Sequence, residues 1–241
     1  MQRDRRFRAV FPKGHVVLPV VHVSSRDQAH RNTETAYRAG ADGVFLINHC
    51  MAAGELFDIN EAISEAFPDW WIGVNCLDLA PVEVVRRASK RTAGIWVDNA
   101  MIAEDRTEQP AATQVMEAIR RTGWPGLYFG GVAFKYQRHV DDLQAAARLA
   151  QQYMDVVTTS GPGTGQAAYV EKIRVMKSAL GSFPLAIASG ITPMNVKEYL
   201  PWSDCYLVAT GISDSFDELN PVKVEVLVNT VRRWDGERGQ E

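Results

Sequence analysis

Asp98 closes the apolar run GIWVDN, where a carboxylate is costly to bury unless it finds a partner. Such a group suits proton transfer, ligation of a metal or recognition of a sugar hydroxyl; the plainer alternative is a cap on the N–H groups of the next loop. Lys135, in VAFKY, can pair with Asp98, hold a substrate anion, form an imine if desolvated, or simply extend to the surface. His22 and His49 stand at the ends of apolar runs, and imidazole titrates near neutrality, so both are candidates for moving protons. Asn48, Asn75 and Thr159 can bind hydroxyl groups without adding charge, or tie neighbouring loops together. His22, His49, Asp78 and Asp98 could also gather around a divalent cation, but none sits in a metal-ligand motif. No cofactor is expected.

A second group of residues is defined by glycine. Three apolar runs each end in a small-residue turn: Thr159-Ser160-Gly161, continuing through Gly163, Thr164 and Gly165; Ser189-Gly190; and Thr210-Gly211. Glycine lets backbone approach a ligand closely, and a following helix N-terminus favours anions. SGPGTG lacks the Gly-Lys-Ser/Thr ending of a P-loop and does not match GxGxxG. Its company at the next two strand ends points instead to a phosphate site shared by consecutive turns, with three ordinary tight turns as the alternative.

Placing these residues together requires a repeating frame. Apolar runs at His15–Val23, Gly43–Cys50, Trp71–Leu77, Gly94–Asn99, Gly126–Tyr136, Asp155–Thr159, Leu185–Ala188 and Cys205–Ala209 alternate with helix-forming segments. The runs are continuous rather than alternating, as in a parallel sheet covered by helices. Eight such units in 241 residues predict a single α/β domain, a (β/α)₈ barrel. Residues 1–14 read as a polar lead-in, 15–234 as the barrel and 235–241 as a polar tail. Every candidate residue then falls at or near a strand's C-terminal end, where barrels place their active sites.

Composition narrows the partners. At 46% hydrophobic, 23% charged and net charge −3, the chain has no basic surplus for nucleic acid or anionic membranes. No apolar run reaches the ~20 residues of a membrane span. Cys50, Cys76 and Cys205 are widely spaced and suit buried thiols in a reducing cytoplasm. The arginines before VVLPVVHV imitate a signal peptide only superficially, since that run contains a proline and a histidine. Six tryptophans, among them Trp70, Trp71 and Trp202, fit either core packing or the interface of a homo-oligomer. Arg86-Arg87, Arg120-Arg121, Arg232-Arg233 and the acidic stretch Glu104–Glu108 read as solvated faces.

AGADGVFLINH, IGVNCLD, FKYQRH, DVVTTSGPGTG, ASGITPMNV and LVATGIS together resemble the BtpA/SgcQ family, itself similar to the ribulose-phosphate-binding barrels. The resemblance runs from strand 2 to strand 8 and is most specific in the C-terminal third. It implies an anion site at Ser160–Gly165, Ser189–Gly190 and Thr210–Gly211, with Asn75, Asp98 and Lys135 in the pocket. Two features depart from the family pattern: VHVSSRDQ replaces its proline-rich turn after strand 1, and Asp98 stands where asparagine is usual. The functional expectation is an isomerase, lyase or phosphoribosyl-type enzyme acting on a phosphorylated sugar or nucleotide-like metabolite. The alternative is a non-catalytic assembly or metabolite-sensing protein of the kind that one branch of the family implies.

Overall fold

Eight strands whose residues are nearly all buried must be covered on both faces, and closure into a barrel achieves this without leaving an edge. The computed structural model describes residues 3–12 and 14–238. Its strands are β1 (Val16–Val23), β2 (Gly43–Asn48), β3 (Trp71–Cys76), β4 (Gly94–Val97), β5 (Leu127–Gly131), β6 (Val156–Ser160), β7 (Leu185–Ala188) and β8 (Cys205–Val208). They pair in parallel and in sequence order, and β1 closes on β8 from Val16 opposite Cys205 to Pro19 opposite Val208. Pro19, which has no N–H to donate, falls where that ladder ends and the pairing of β1 with β2 begins at Val20.

Alternation along each strand divides the core in two. Phe45 and Ile47 of β2 point into the barrel with Trp71, Trp96 and Phe129, whereas Val44 and Leu46 face the surrounding helices. Those helices are α2 (Arg26–Arg38), α3 (Ala53–Ala66), α4 (Pro81–Arg87), α5 (Pro110–Thr122), α6 (Leu143–Ala150), α7 (Val170–Leu180), α8 (Val196–Tyr199) and α9 (Pro221–Arg238). Caps follow side-chain chemistry: Ser25 accepts the Gln28 N–H at the start of α2, and Asp142 accepts the Ala145 N–H at the start of α6.

Three expectations need correction. The lead-in is not featureless, because Arg3–Val10 form α1, whose Phe7 joins Phe11 in the barrel interior. Strand 5 stops at Gly131 rather than Tyr136; residues 132–137 form a loop in which Ala133 and Tyr136 adopt positive φ. The C-terminal tail begins later than position 235, since α9 continues to Arg238; residues 239–241 lie outside the described part.

Candidate active site

The strand ends surround a cavity of about 260 Å³ at the barrel mouth. His22 of β1, His49 just beyond β2, Asp98 just beyond β4, Lys135 of the β5 loop, Thr164 of the β6 loop, Ser189 beyond β7 and Thr210 beyond β8 all line it. Trp96, Val20, Ile47 and Leu207, which belong to the barrel strands, contribute apolar lining. Residues spread over almost two hundred positions of sequence therefore meet because each strand ends at the same rim.

Two chemically different walls result. On one, Lys135 Nζ donates to Thr164 Oγ1 and Ser189 Oγ, both at 3.2 Å. The backbone of Lys135 is fixed by a 2.8 Å bond from its N–H to Ser160 Oγ. Tyr136 completes this side, its hydroxyl accepting the Thr164 N–H at 3.3 Å. A cation flanked by two hydroxyls makes a fitting receptor for a phosphoryl group. Of the roles open to Lys135 in the sequence, a direct bond to Asp98 is not the one adopted; its ammonium makes these hydroxyl contacts.

On the other wall, Asp98 accepts a 2.9 Å bond from Asn75 Nδ2, and its backbone carbonyl accepts from the Gln137 amide. Burial pushes the Asp98 carboxyl above its ordinary pKa, and the Asn75 bond and the charges of Lys135 and His49 offset this only in part. His22 and His49 contact each other edge to face at 4.8 Å. Burial lowers the pKa of both, and Lys135 lowers each further. Neutral His22 donates from Nδ1 to the Phe216 carbonyl at 2.7 Å. An acid raised and two bases lowered narrow the gap over which a proton must move, which is the condition for general acid–base work near neutrality.

Several expected site residues do not line the mouth cavity. Asn48 is buried, donates to the Met51 carbonyl and to Asp78, and accepts the Leu77 N–H, so it ties together the loops after β2 and β3. Asp78 accepts the Ala53 N–H at the start of α3 and does not line the mouth cavity. Thr159 is fully buried and donates to the Ala133 carbonyl, away from the mouth. Ser160 is also fully buried and supports Lys135 from below. Asn75 does not itself line the cavity and reaches it through its bond to Asp98. Among the described residues, no group of three or more His, Cys, Asp or Glu side chains is placed to hold a metal ion.

Three of the glycines in these turns are packed closely against backbone. A Cβ on Gly161 would lie 2.1 Å from the Gln166 carbonyl oxygen, on Gly190 2.3 Å from the Ala167 backbone, and on Gly211 2.0 Å from the Ile191 carbonyl oxygen. Gly161 lets its own loop fold back on itself, Gly190 and Gly211 let successive βα loops stack on one another, and the cavity is lined by Thr164, Ser189 and Thr210. Gly165 remains exposed, with φ +73°. Gly163 is buried against the Gln166 side chain.

Phe216 was not legible as a site residue. It belongs to the segment between β8 and α9, and its ring lies 4.2 Å from that of His22 and 5.1 Å from that of His49. Bonds from Gln28 and Asn32 to the Asp217 carbonyl hold this segment against α2. Only closure of the barrel, which makes the end of the chain a neighbour of β1, brings Phe216 to the histidines.

The strands define a (β/α)₈ barrel with a cavity at its C-terminal rim. No family model matches the chain. An uncharacterised protein of Pyrococcus furiosus is 22% identical over 116 residues, covering 47% of this chain and only 44% of that relative. Among solved structures, (S)-3-O-geranylgeranylglyceryl phosphate synthase from Thermoplasma acidophilum, in complex with sn-glycerol-1-phosphate, is similar at TM-score 0.69 and 16% identity. That match covers 96% of this chain and 98% of the synthase. Phosphoribosyl anthranilate isomerase from Thermus thermophilus gives 0.62 at 15% identity, covering 91% and 99%. The Pyrococcus furiosus N-(5'-phosphoribosyl)anthranilate isomerase also gives 0.62 at 15%, covering 91% and 100%. At these identities the likeness concerns the fold.

Proposed function

We propose that the chain is an enzyme of phosphorylated small molecules that moves a proton next to a substrate carbonyl. The observation that carries this reading is the division of one cavity into a Lys135–Thr164–Ser189 wall and an Asp98–His22–His49 wall. The first would hold the phosphoryl group as a handle, so that binding energy far from the reacting carbon orients it. Asp98, its pKa raised by burial, would exchange the proton, and a neutral histidine would donate to the carbonyl oxygen and take that proton back from the enol hydroxyl. The phosphate-bearing compounds named for the similar barrels, sn-glycerol-1-phosphate and phosphoribosyl anthranilate, are consistent with a phosphate handle. The reading places the protein in the cytoplasm with a small-molecule partner. The resemblance to the BtpA/SgcQ family fits the same barrel and the same rim.

The test begins with thermal shift against inorganic phosphate, phosphorylated aldehydes and ketones, and their unphosphorylated counterparts. A ligand at 100-fold its dissociation constant stabilises by about 2.7 kcal/mol. Only phosphorylated compounds should shift the transition, and Lys135→Met should weaken their binding by about tenfold or more. Binding compounds are then incubated in D₂O, with deuterium incorporation beside the carbonyl followed by NMR. Asp98→Asn should retain binding and lose exchange. Exchange at the wild-type rate in Asp98→Asn would overturn the assignment of the proton-transfer group.

A further inference from the structure

A second cavity, of about 490 Å³, opens on the other side of Lys135 and Tyr136, between the β5 and β6 loops and α7. Its size lies within the range of small-molecule sites. Phe134, Pro162, Ala168 and Tyr169 give it apolar and aromatic surface. Its titratable lining groups are Lys135, Tyr136, Arg138, His139, Tyr169 and Lys172; among the described residues no carboxylate lines it. Three of these groups face other partners. Lys135 bonds to Thr164 and Ser189, Arg138 pairs with Glu104, and His139 is exposed beside Asp141.

Lys172 is different. Its ammonium donates to the Ala133 carbonyl at 2.5 Å and the Ser160 carbonyl at 2.7 Å, both of them neutral acceptors. Two of three N–H bonds are thus accounted for, leaving one donor and a full charge at a half-buried position. Burial alone moves its pKa down to about 8, with no neighbouring carboxylate to hold it up. A desolvated cation without a counter-charge is costly, and an anion entering the cavity would remove that cost.

We propose that this cavity is a second ligand site, separate from the barrel mouth, which binds the carboxylate of a small organic acid through Lys172 and its apolar or aromatic skeleton against Tyr169 and Phe134. It shares only the Lys135–Tyr136 wall with the mouth, so a ligand here and a phosphate there are compatible. The inference goes beyond the proposed reaction and does not depend on it.

The test uses benzoate as probe, benzyl alcohol as its neutral counterpart and inorganic phosphate as a monitor of the mouth, all followed by NMR titration of the full-length protein. Benzoate should bind at least about tenfold more tightly than benzyl alcohol, as expected for a charge-assisted hydrogen bond. Its affinity in the wild type should fall as pH rises through about 8, the window in which Lys172 loses its proton. Lys172→Met should lose the preference for benzoate while retaining the wild-type phosphate response. Lys172→Arg should keep it and extend binding above pH 8, because guanidinium stays charged. Equal binding of benzoate and benzyl alcohol, displacement of benzoate by phosphate, or an affinity for benzoate that does not fall as pH rises through about 8 would each overturn the proposal. The wild-type pH profile decides the matter even if a variant fails to fold. Failure of phosphate to bind, with the benzoate results intact, would count against the proposed function alone.

Discussion

Asp98 carries a cost that its neighbours only partly relieve, and that cost has a definite sign. Its folded pKa is raised, so between the ordinary carboxyl value and the raised one the folded state holds a proton that the unfolded state has released. Stability contributed by this group therefore falls as pH rises through that window. Asp98→Asn should raise the melting temperature at pH 7, and the gain should vanish at a pH below the ordinary carboxyl value. A lower melting temperature for Asp98→Asn at neutral pH would mean that the carboxylate stabilises the fold. The histidines act in the opposite direction from acid. With pKa values lowered by burial, His22 and His49 stay neutral in the folded state while the unfolded chain takes up protons below about 6.5. Their contribution is present at neutral pH and is lost as pH falls. A melting temperature that rises between pH 7 and pH 5 in the wild type, but less so in His22→Gln, would contradict this.

At the scale of elements, the site depends on how the βα loops stack. Gly190 sits at φ +74°, and its missing side chain admits the Ala167 backbone. Gly190→Ala would combine a strained backbone with a contact that cannot relax through a rotamer, and should cost about 2–4 kcal/mol by thermal denaturation. Because Ser189 precedes it and accepts from Lys135, phosphate binding should weaken in the same variant. A fully stable Gly190→Ala would mean that the β6 loop can move away from this position. The strands were legible in sequence because continuous apolar runs need cover on both faces, and the rim positions followed from the strand ends. Lys135 was legible as a site residue, although the strand assigned to it ends four residues earlier, since a loop can hold a lysine at the rim as well as a strand can. The glycines were legible as special, but the backbone each one packs against was not. Sequence marks where a side chain is absent, whereas the segment that fills the space, here Gln166-Ala167, comes from elsewhere in the chain.

At the scale of the whole molecule, the barrel has two ends with different tasks. The rim carries the polar residues, and α1 closes the opposite end with Phe7, fully buried, its ring tilted at 5.3 Å from Phe11 and edge to face at 6.5 Å from Phe129. Arg6 anchors the helix through two 2.8 Å bonds to the buried Asp155 carboxylate and further bonds to the Pro125 and Gly126 carbonyls. The run of arginines masked this helix in the sequence, although Phe7 and Phe11, four residues apart, are the spacing of one helical face. Filling the bottom of the barrel stabilises the whole sheet, because every strand begins there. Phe7→Ala should therefore cost about 3–5 kcal/mol. At about 2–4 °C for each kcal/mol in a chain of this size, the melting temperature should fall by about 6–20 °C. Phosphate affinity, measured well below the lowered transition, should be unchanged, since the plug and the rim lie at opposite ends of the strands. A loss of affinity without a loss of stability would show instead that the two ends are coupled through the barrel core.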